Sequence, residues 1–284
     1  MRENLRVEFT KAFHSKYFAV TLTIATALAV WSSIHSIQYY FRVQNMLSVL
    51  GKNKNPDLAA DTLFNHWMGG EFGSFSTDLY YLVLPIFAVF PYAWSLFDER
   101  KSGYLKNMVT RCGRKRYIIS KYISTFVVGG LTVLLPLVLN FILIACVVPA
   151  RIPDPSLHVN YAIFGSSLLS GLFYSRPLLY ALFYLLLPFA FGGLWAATTM
   201  AASLFFRNRY AALLIPYILL LIFQYLTQSF FAWHIYLEAS PINYVRGVMV
   251  NNKSAAWVII LEFLLLFAFS FGTSLYRGLH DDVL

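Results

Sequence analysis

Charge is what this chain has least of: Asp, Glu, Lys and Arg make up 12% of its 284 residues, about half the share of an ordinary soluble domain. The remainder is 58% hydrophobic and 18% aromatic, with a mean hydropathy of +0.60, which places the chain among integral membrane proteins. Other absences narrow the function. No Gly-x-x-x-x-Gly-Lys-Ser/Thr phosphate loop occurs, so no ATPase activity is expected of this chain itself. The histidines, His14, His35, His66, His158, His234 and His280, show neither H-E-x-x-H nor paired spacing and support no metal site. Only two cysteines are present; Cys112 falls in a connector and Cys146 in an apolar run, where a disulfide is not expected. Internal repeats, linkers and low-complexity tracts are missing, so residues 1–284 are read as one domain. Paired intramembrane charges and polar clusters at a common depth are missing too, which argues against a secondary carrier and a membrane-embedded enzyme.

What is present is long apolar runs. A span needs about 20 residues at 1.5 Å rise, and six runs meet that: Lys16–Gln38, Asp78–Phe97, Tyr117–Val148, Leu178–Phe206, Tyr210–Phe231 and Ala255–Tyr276. Alternating ten-residue strands are absent, so the fold class is all-α, six transmembrane helices. The net charge of +9 is then a topology signal before it is anything else, and no nucleic acid partner is implied. Placing both termini in the cytoplasm puts Arg2, Arg6, Lys11, Lys16, Arg100, Lys101, Lys106, Arg111, Arg114, Lys115, Arg116, Lys121, Arg207, Arg209 and Arg277 inside. Arg42, Lys52, Lys54, Arg151, Arg176, Arg246 and Lys253 remain outside. The inner set is about twice the outer, as the positive-inside rule requires.

The first run contains Ala27-Leu28-Ala29, which resembles a cleavage site, but apolar residues continue through Ile34, so the run is read as a retained helix. Before it, Leu5, Phe9, Ala12 and Phe13 recur at helical spacing, away from Arg2, Arg6 and Lys11. That pattern predicts an amphipathic helix lying in the cytoplasmic membrane interface, apolar face on the lipid. The segment Tyr39–Thr77 reads as loop or short helices, Pro149–Pro177 as a proline-marked connector, and Phe205–Tyr210 as a tight turn closing a helical hairpin. The segment after Thr227, with Trp233, Tyr236 and Tyr244, reads as short helices in the outer leaflet. Pro85, Pro91, Pro136, Pro188 and Pro216 fall within spans and would bend them.

The connector FDERKSGYLKNMVTRCGRKRYIISK, Phe97–Lys121, carries two signals. Its basic residues set topology. Between Gly103 and Gly113, Tyr104, Leu105, Met108 and Val109 form one apolar face of a two-turn helix, with Lys106 and Asn107 opposite and Arg111 in the last turn. Such a face suits lipid headgroups or a groove of another protein.

In position and pattern this connector resembles the coupling helix of ABC-2-type transporter permeases. The resemblance rests on Glu99, Gly103, Tyr104–Arg111, Arg114, Arg116, Tyr117 and Lys121, and it extends to the N-terminal interfacial helix and the tight fourth connector. Thr110–Gly113 departs from it, with Arg111-Cys112 where members often carry Pro or small residues. The resemblance implies a six-span permease of the cell membrane that pairs with a second permease chain. Separate ABC ATPase subunits would bind ATP and Mg and drive export of an amphipathic or hydrophobic substrate: a peptide, antibiotic, drug or lipid. It implies that Glu99, Gly103, Tyr104, Leu105, Met108, Val109, Arg111, Arg114 and Arg116 meet the ATPase, the charges orienting the contact and Leu105 and Met108 anchoring it. The other reading is an ATP-independent carrier or a scaffold subunit, the charges then only fixing topology.

Three polar residues lie within spans. Glu262 sits about eight residues into the last one, roughly 10 Å deep, where a charge is costly and a functional role is the default; the alternative is a carboxylate held by a structural partner. Asn140 and Gln224 are candidates for a substrate path or for interhelical hydrogen bonds.

Overall fold

The computed structural model describes residues 2–50, 60–206, 208–229, 236–248 and 252–280. Lys52, Lys54, Arg207, Trp233 and His234, named above, lie outside the described residues. Almost everything described is helical. Helix α1 (Arg2–Phe13) runs through a short turn into α2 (Lys16–Leu50); α3 (Leu63–His66) precedes α4 (Phe75–Val89); and α5 (Ser95–Lys101), α6 (Tyr104–Cys112) and α7 (Arg114–Ala145) follow. After a 3₁₀ turn at Pro155–Asn160 come α8 (Ser170–Ser175), α9 (Pro177–Ala202), α10 (Arg209–Ser229), α11 (Pro241–Tyr244) and α12 (Ala256–His280). A two-residue parallel pairing of β1 (Leu237–Glu238) with β2 (Lys253–Ser254) ties the last connector to the start of α12.

Five helices, α2, α7, α9, α10 and α12, are long and apolar enough to cross a membrane, so the chain is a multi-pass membrane protein of all-α class. The sequence predicts six. At 15 residues, about 22 Å, α4 is shorter than the roughly 30 Å hydrocarbon layer. It ends before the apolar run does because Pro91 has no amide hydrogen to donate to the preceding turn. Pro91 therefore lies in the turn before α5, whereas Pro85, Pro136, Pro188 and Pro216 are inside helices.

Helices α7 and α9 form the centre and pack most extensively on each other, with α2, α4 and α12 around them and α10 leaning chiefly on α9. Small residues let the central pair approach. A Cβ on Gly129 would lie 2.5 Å from the Ala196 Cβ and 2.8 Å from the Ala88 carbonyl, and one on Gly193 would lie 2.7 Å from the Phe126 carbonyl. Polar clamps add to this packing. Tyr80 donates to the Val133 carbonyl at 2.7 Å, and Tyr180 to the Gly247 carbonyl at 2.6 Å. At the rim, α10 and α12 leave most of their apolar surface exposed.

Three expectations change. Helix α2 continues twelve residues past Gln38, so Tyr39–Leu50 is helix rather than loop. The connector after α10 holds, among its described residues, one four-residue helix and the β1 strand; Tyr236 is exposed, but Tyr244 is buried and so does not belong to an aromatic belt. Helix α1 does form, but it lays Glu8 and Ala12 against the protein, packing on α7, and leaves Phe13 largely exposed.

Candidate functional site

The end of the bundle that carries both described termini holds the most elaborate polar arrangement in the molecule. Lys121, one helical turn beyond Tyr117 on α7, is fully enclosed, with its Nζ 2.8 Å from Glu8 of α1 and 2.9 Å from Glu99 of α5. Lys11 reaches the same two carboxylates at 3.3 and 3.1 Å. Tyr92 donates to Glu8 at 2.6 Å and accepts from Lys121 at 3.0 Å, and the Tyr117 hydroxyl donates to Glu99. The Lys11 ammonium also lies 4.1 Å from the centroid of the Tyr104 ring. Two carboxylates and two ammoniums thus balance, with the remaining acceptor sites filled by phenols, as a buried ionic cluster requires. Burial pushes the Glu8 carboxyl up, but the Lys121 charge and the hydrogen bonds from Lys121 and Tyr92 outweigh it and hold Glu8 below its ordinary value. Burial pushes Lys11 down, and Tyr104, Glu99 and Glu8 together raise it above its usual value.

Helix α6 stands on this cluster. Gly103, at φ 74° in the left-handed region, begins it, and Gly113, at φ 81°, ends it and starts α7. Neither has an atom within 4 Å of where a Cβ would lie, so glycine is there for its backbone freedom rather than for space. The two glycines separate α6 from α5 and α7. Leu105, 1% exposed, belongs to one apolar cluster with Leu96, Tyr117, Ile118, Tyr122, Ala197, Met200 and Leu204, and Met108 and Val109 pack against that cluster. Of the apolar face expected to meet a partner, Leu105 is therefore rooted in its own chain, while Tyr104, Met108 and Val109 are half-buried. Glu99 is committed to Lys11, Lys121 and Tyr117 and keeps only a margin of exposure at the edge of the cluster. What α6 and the start of α7 present outward is Lys106, Asn107, Thr110, Arg111, Lys115 and Arg116. Beside them Lys11, Asp98, Glu99, Lys101, Ser102 and Tyr104 bound an open recess of about 560 Å³. Arg114 donates to the Leu279 carbonyl at 2.7 Å, and Arg100 and Arg277 both donate to the Leu204 carbonyl at 3.3 Å. The end of α5 and the start of α7 are thereby tied to the α9–α10 connector and the end of α12.

The three intramembrane polar residues are not brought together. Asn140 is fully buried, donating to the Ala29 carbonyl and the Ser33 hydroxyl and accepting from the Met68 amide at 3.2, 2.9 and 2.9 Å. It clasps α2, α7 and the loop after α3, with both amide protons engaged within the protein. Gln224 of α10 donates to Asn243 at 3.3 Å, and Tyr244 donates to Glu262 of α12 at 2.5 Å. Adjacent residues of α11 thus bridge the two rim helices. Glu262 also lines a cavity of about 820 Å³ walled by α4, α9, α10 and α12.

Sequence reasoning missed Glu8, Tyr92 and the structural importance of Lys121. A signal for Glu8 existed: it lies three residues after Leu5 and four before Ala12, a carboxylate on the face that was read as apolar. At the opposite end Glu71, also unremarked, is buried and accepts hydroxyls from Ser36 at 2.7 Å, Ser74 at 3.1 Å and Thr77. No family model, no curated protein and no solved structure matches this chain.

Proposed function

We propose that this chain is the transmembrane subunit of an ATP-driven exporter of the ABC-2 type, working as a pair with a second permease chain and with separate ATPase subunits that bind ATP and Mg. In this reading α4, its turn and α5 complete a sixth crossing, both termini are cytoplasmic, the membrane is the cell membrane, and the cargo is amphipathic or hydrophobic. The observation that carries the reading is α6: a nine-residue helix set between two positive-φ glycines, rooted through Leu105 and presenting a basic and polar outer face. A helix held that way transmits force at both ends. Its outer face follows a partner while its root sits on α5, α7 and α9, so a push on α6 reaches the centre of the bundle.

The geometry also selects the test. Leu105→Asp would unfold the root and say nothing about docking. Lys106→Glu with Arg111→Glu reverses charge on the outer face and leaves the root intact. With the cognate ATPase co-expressed, the double variant is expected to lose at least about tenfold in co-purified ATPase or in stimulated ATP turnover, at unchanged yield of the permease chain. Unchanged assembly and turnover would remove the coupling role.

A further inference from the structure

The cavity beside Glu262 has a definite chemistry. It draws its walls from α4, α9, α10 and α12, runs on the α10 side from Tyr210 to Phe223, about 20 Å of helix, and is lined almost wholly by apolar side chains. At about 820 Å³ it falls within the range of small-molecule sites. Leu214 and Phe269 belong to its wall and are half exposed on the outer surface of the bundle, so the space is continuous with the lipid-facing side. It persists because α12 packs on α9 and α7 while α10 leans on α9 and α4.

Three polar features interrupt the apolar wall. Glu262 is its one charged residue; Oε2 accepts from Tyr244, and Oε1 has no partner among the described residues. No Lys, Arg or His among the described residues lies within ion-pair distance of it. Thr199, 1% exposed, and its neighbour Thr198 also line the cavity, and their buried hydroxyls have no hydrogen-bond partner among the described residues. Orphaned polar groups in so apolar a place cost free energy unless a ligand or water satisfies them. Trp195 and Phe223, aromatic rings of the kind that favour a cation, stand in the same wall.

We propose that this cavity binds a lipophilic amine: one protonated nitrogen at Glu262 and a single apolar tail running along α10 toward Tyr210. An ammonium N–H meets the free Oε1, and the tail replaces water or lipid along an apolar surface. A phospholipid fits less well, since its phosphate would approach a carboxylate with no basic residue in the wall to receive it. A neutral chain of the same length would fill the space and leave Glu262 unanswered. The proposal rests on the exporter reading only in calling such an amine cargo; the binding itself belongs to this chain alone.

The test therefore contains no ATPase. The chain is held in phosphatidylcholine nanodiscs, and binding of radiolabelled N,N-dimethyldodecylamine and of dodecanol is measured by equilibrium dialysis, with empty nanodiscs subtracted. The wild type is expected to bind the amine saturably and at least about tenfold more tightly than the alcohol. Glu262→Gln should bring the amine down to the level of the alcohol and leave the alcohol unchanged. Ala202→Phe, which narrows the cavity away from Glu262, should weaken both and keeps the question answerable if Glu262→Gln does not fold. Equal binding of amine and alcohol by the wild type, amine binding indifferent to Glu262→Gln, or no binding above empty nanodiscs would each overturn the proposal. None of these outcomes touches ATPase docking, and a failure of docking leaves amine binding as it stands.

Discussion

Lys121 has two carboxylates within 3 Å and none of its surface in water. Lys121→Met would leave Glu8 and Glu99 to share Lys11 alone, one positive charge for two carboxylates, and breaking a buried pair on one side costs up to about 3–5 kcal/mol. Thermal unfolding in nanodiscs should show a loss of that order, and adding Glu8→Gln should restore part of it, because one stranded charge is then gone. A Lys121→Met protein as stable as the wild type would mean that the cluster contributes nothing to stability. The pH dependence has a fixed sign. Glu8 is held below the ordinary glutamate value of about 4.3, so its contribution is complete above about pH 4.3 and is lost as the pH falls through the lower folded value. Glu8→Gln should flatten the acid limb of the stability curve in that window and leave neutral pH dependence unchanged. Glu8 was legible in the sequence as a carboxylate on an apolar face. Its partner was not: Lys121 is 113 residues away, and helical periodicity relates only residues on one helix.

At the scale of the element, hydropathy and helix ends report different things. Hydropathy falls after Gln38 because the chain meets polar surroundings, yet α2 runs on to Leu50 because no Gly or Pro interrupts it before Gly51. On α4 the reverse holds: Pro91 stops the helix while the residues are still apolar. The existence of the long helices was therefore readable from composition, and the ends of α2 and α4 from Gly51 and Pro91, although Pro85, Pro136, Pro188 and Pro216 lie inside helices without ending them. The α7–α9 contact was hidden for another reason. Gly129 and Gly193 each belong to a Gly-Gly pair and Gly272 stands alone, but a pair of small residues does not say which helix it meets. Gly129→Leu drives side-chain atoms into the Ala196 Cβ and the Ala88 carbonyl and should cost about 3 kcal/mol or more, read as a lost or strongly lowered unfolding transition. Gly272→Leu on α12, with nothing within 4 Å of its added Cβ, should express and melt as the wild type does. Equal behaviour of the two variants would show that α7 and α9 do not pack as closely as described.

For the whole molecule, the open question is which end of the bundle faces the cytoplasm, and the two native cysteines can answer it. Cys112 ends α6 and Cys146 follows α7, so the 32 residues of α7 separate them. That is about 48 Å along the helix, more than the roughly 30 Å of hydrocarbon, so the two thiols lie on opposite sides of the membrane. Both are free, Cys146 exposed and Cys112 half-buried with its S–H donating to the Met108 carbonyl. In the proposed orientation, with both termini cytoplasmic, Cys146 lies outside. A membrane-impermeant maleimide should therefore label intact cells at Cys146, with the signal abolished by Cys146→Ser, and reach Cys112 only after permeabilisation and then more slowly. The result bears on function as well as on topology. An ATPase that uses cellular ATP reaches only the cytoplasmic face, so α6 is placed to receive it only if Cys112, at its end, is shielded in intact cells. Labelling of Cys112 before permeabilisation would invert the chain and take the coupling role from α6, whatever its amphipathic pattern.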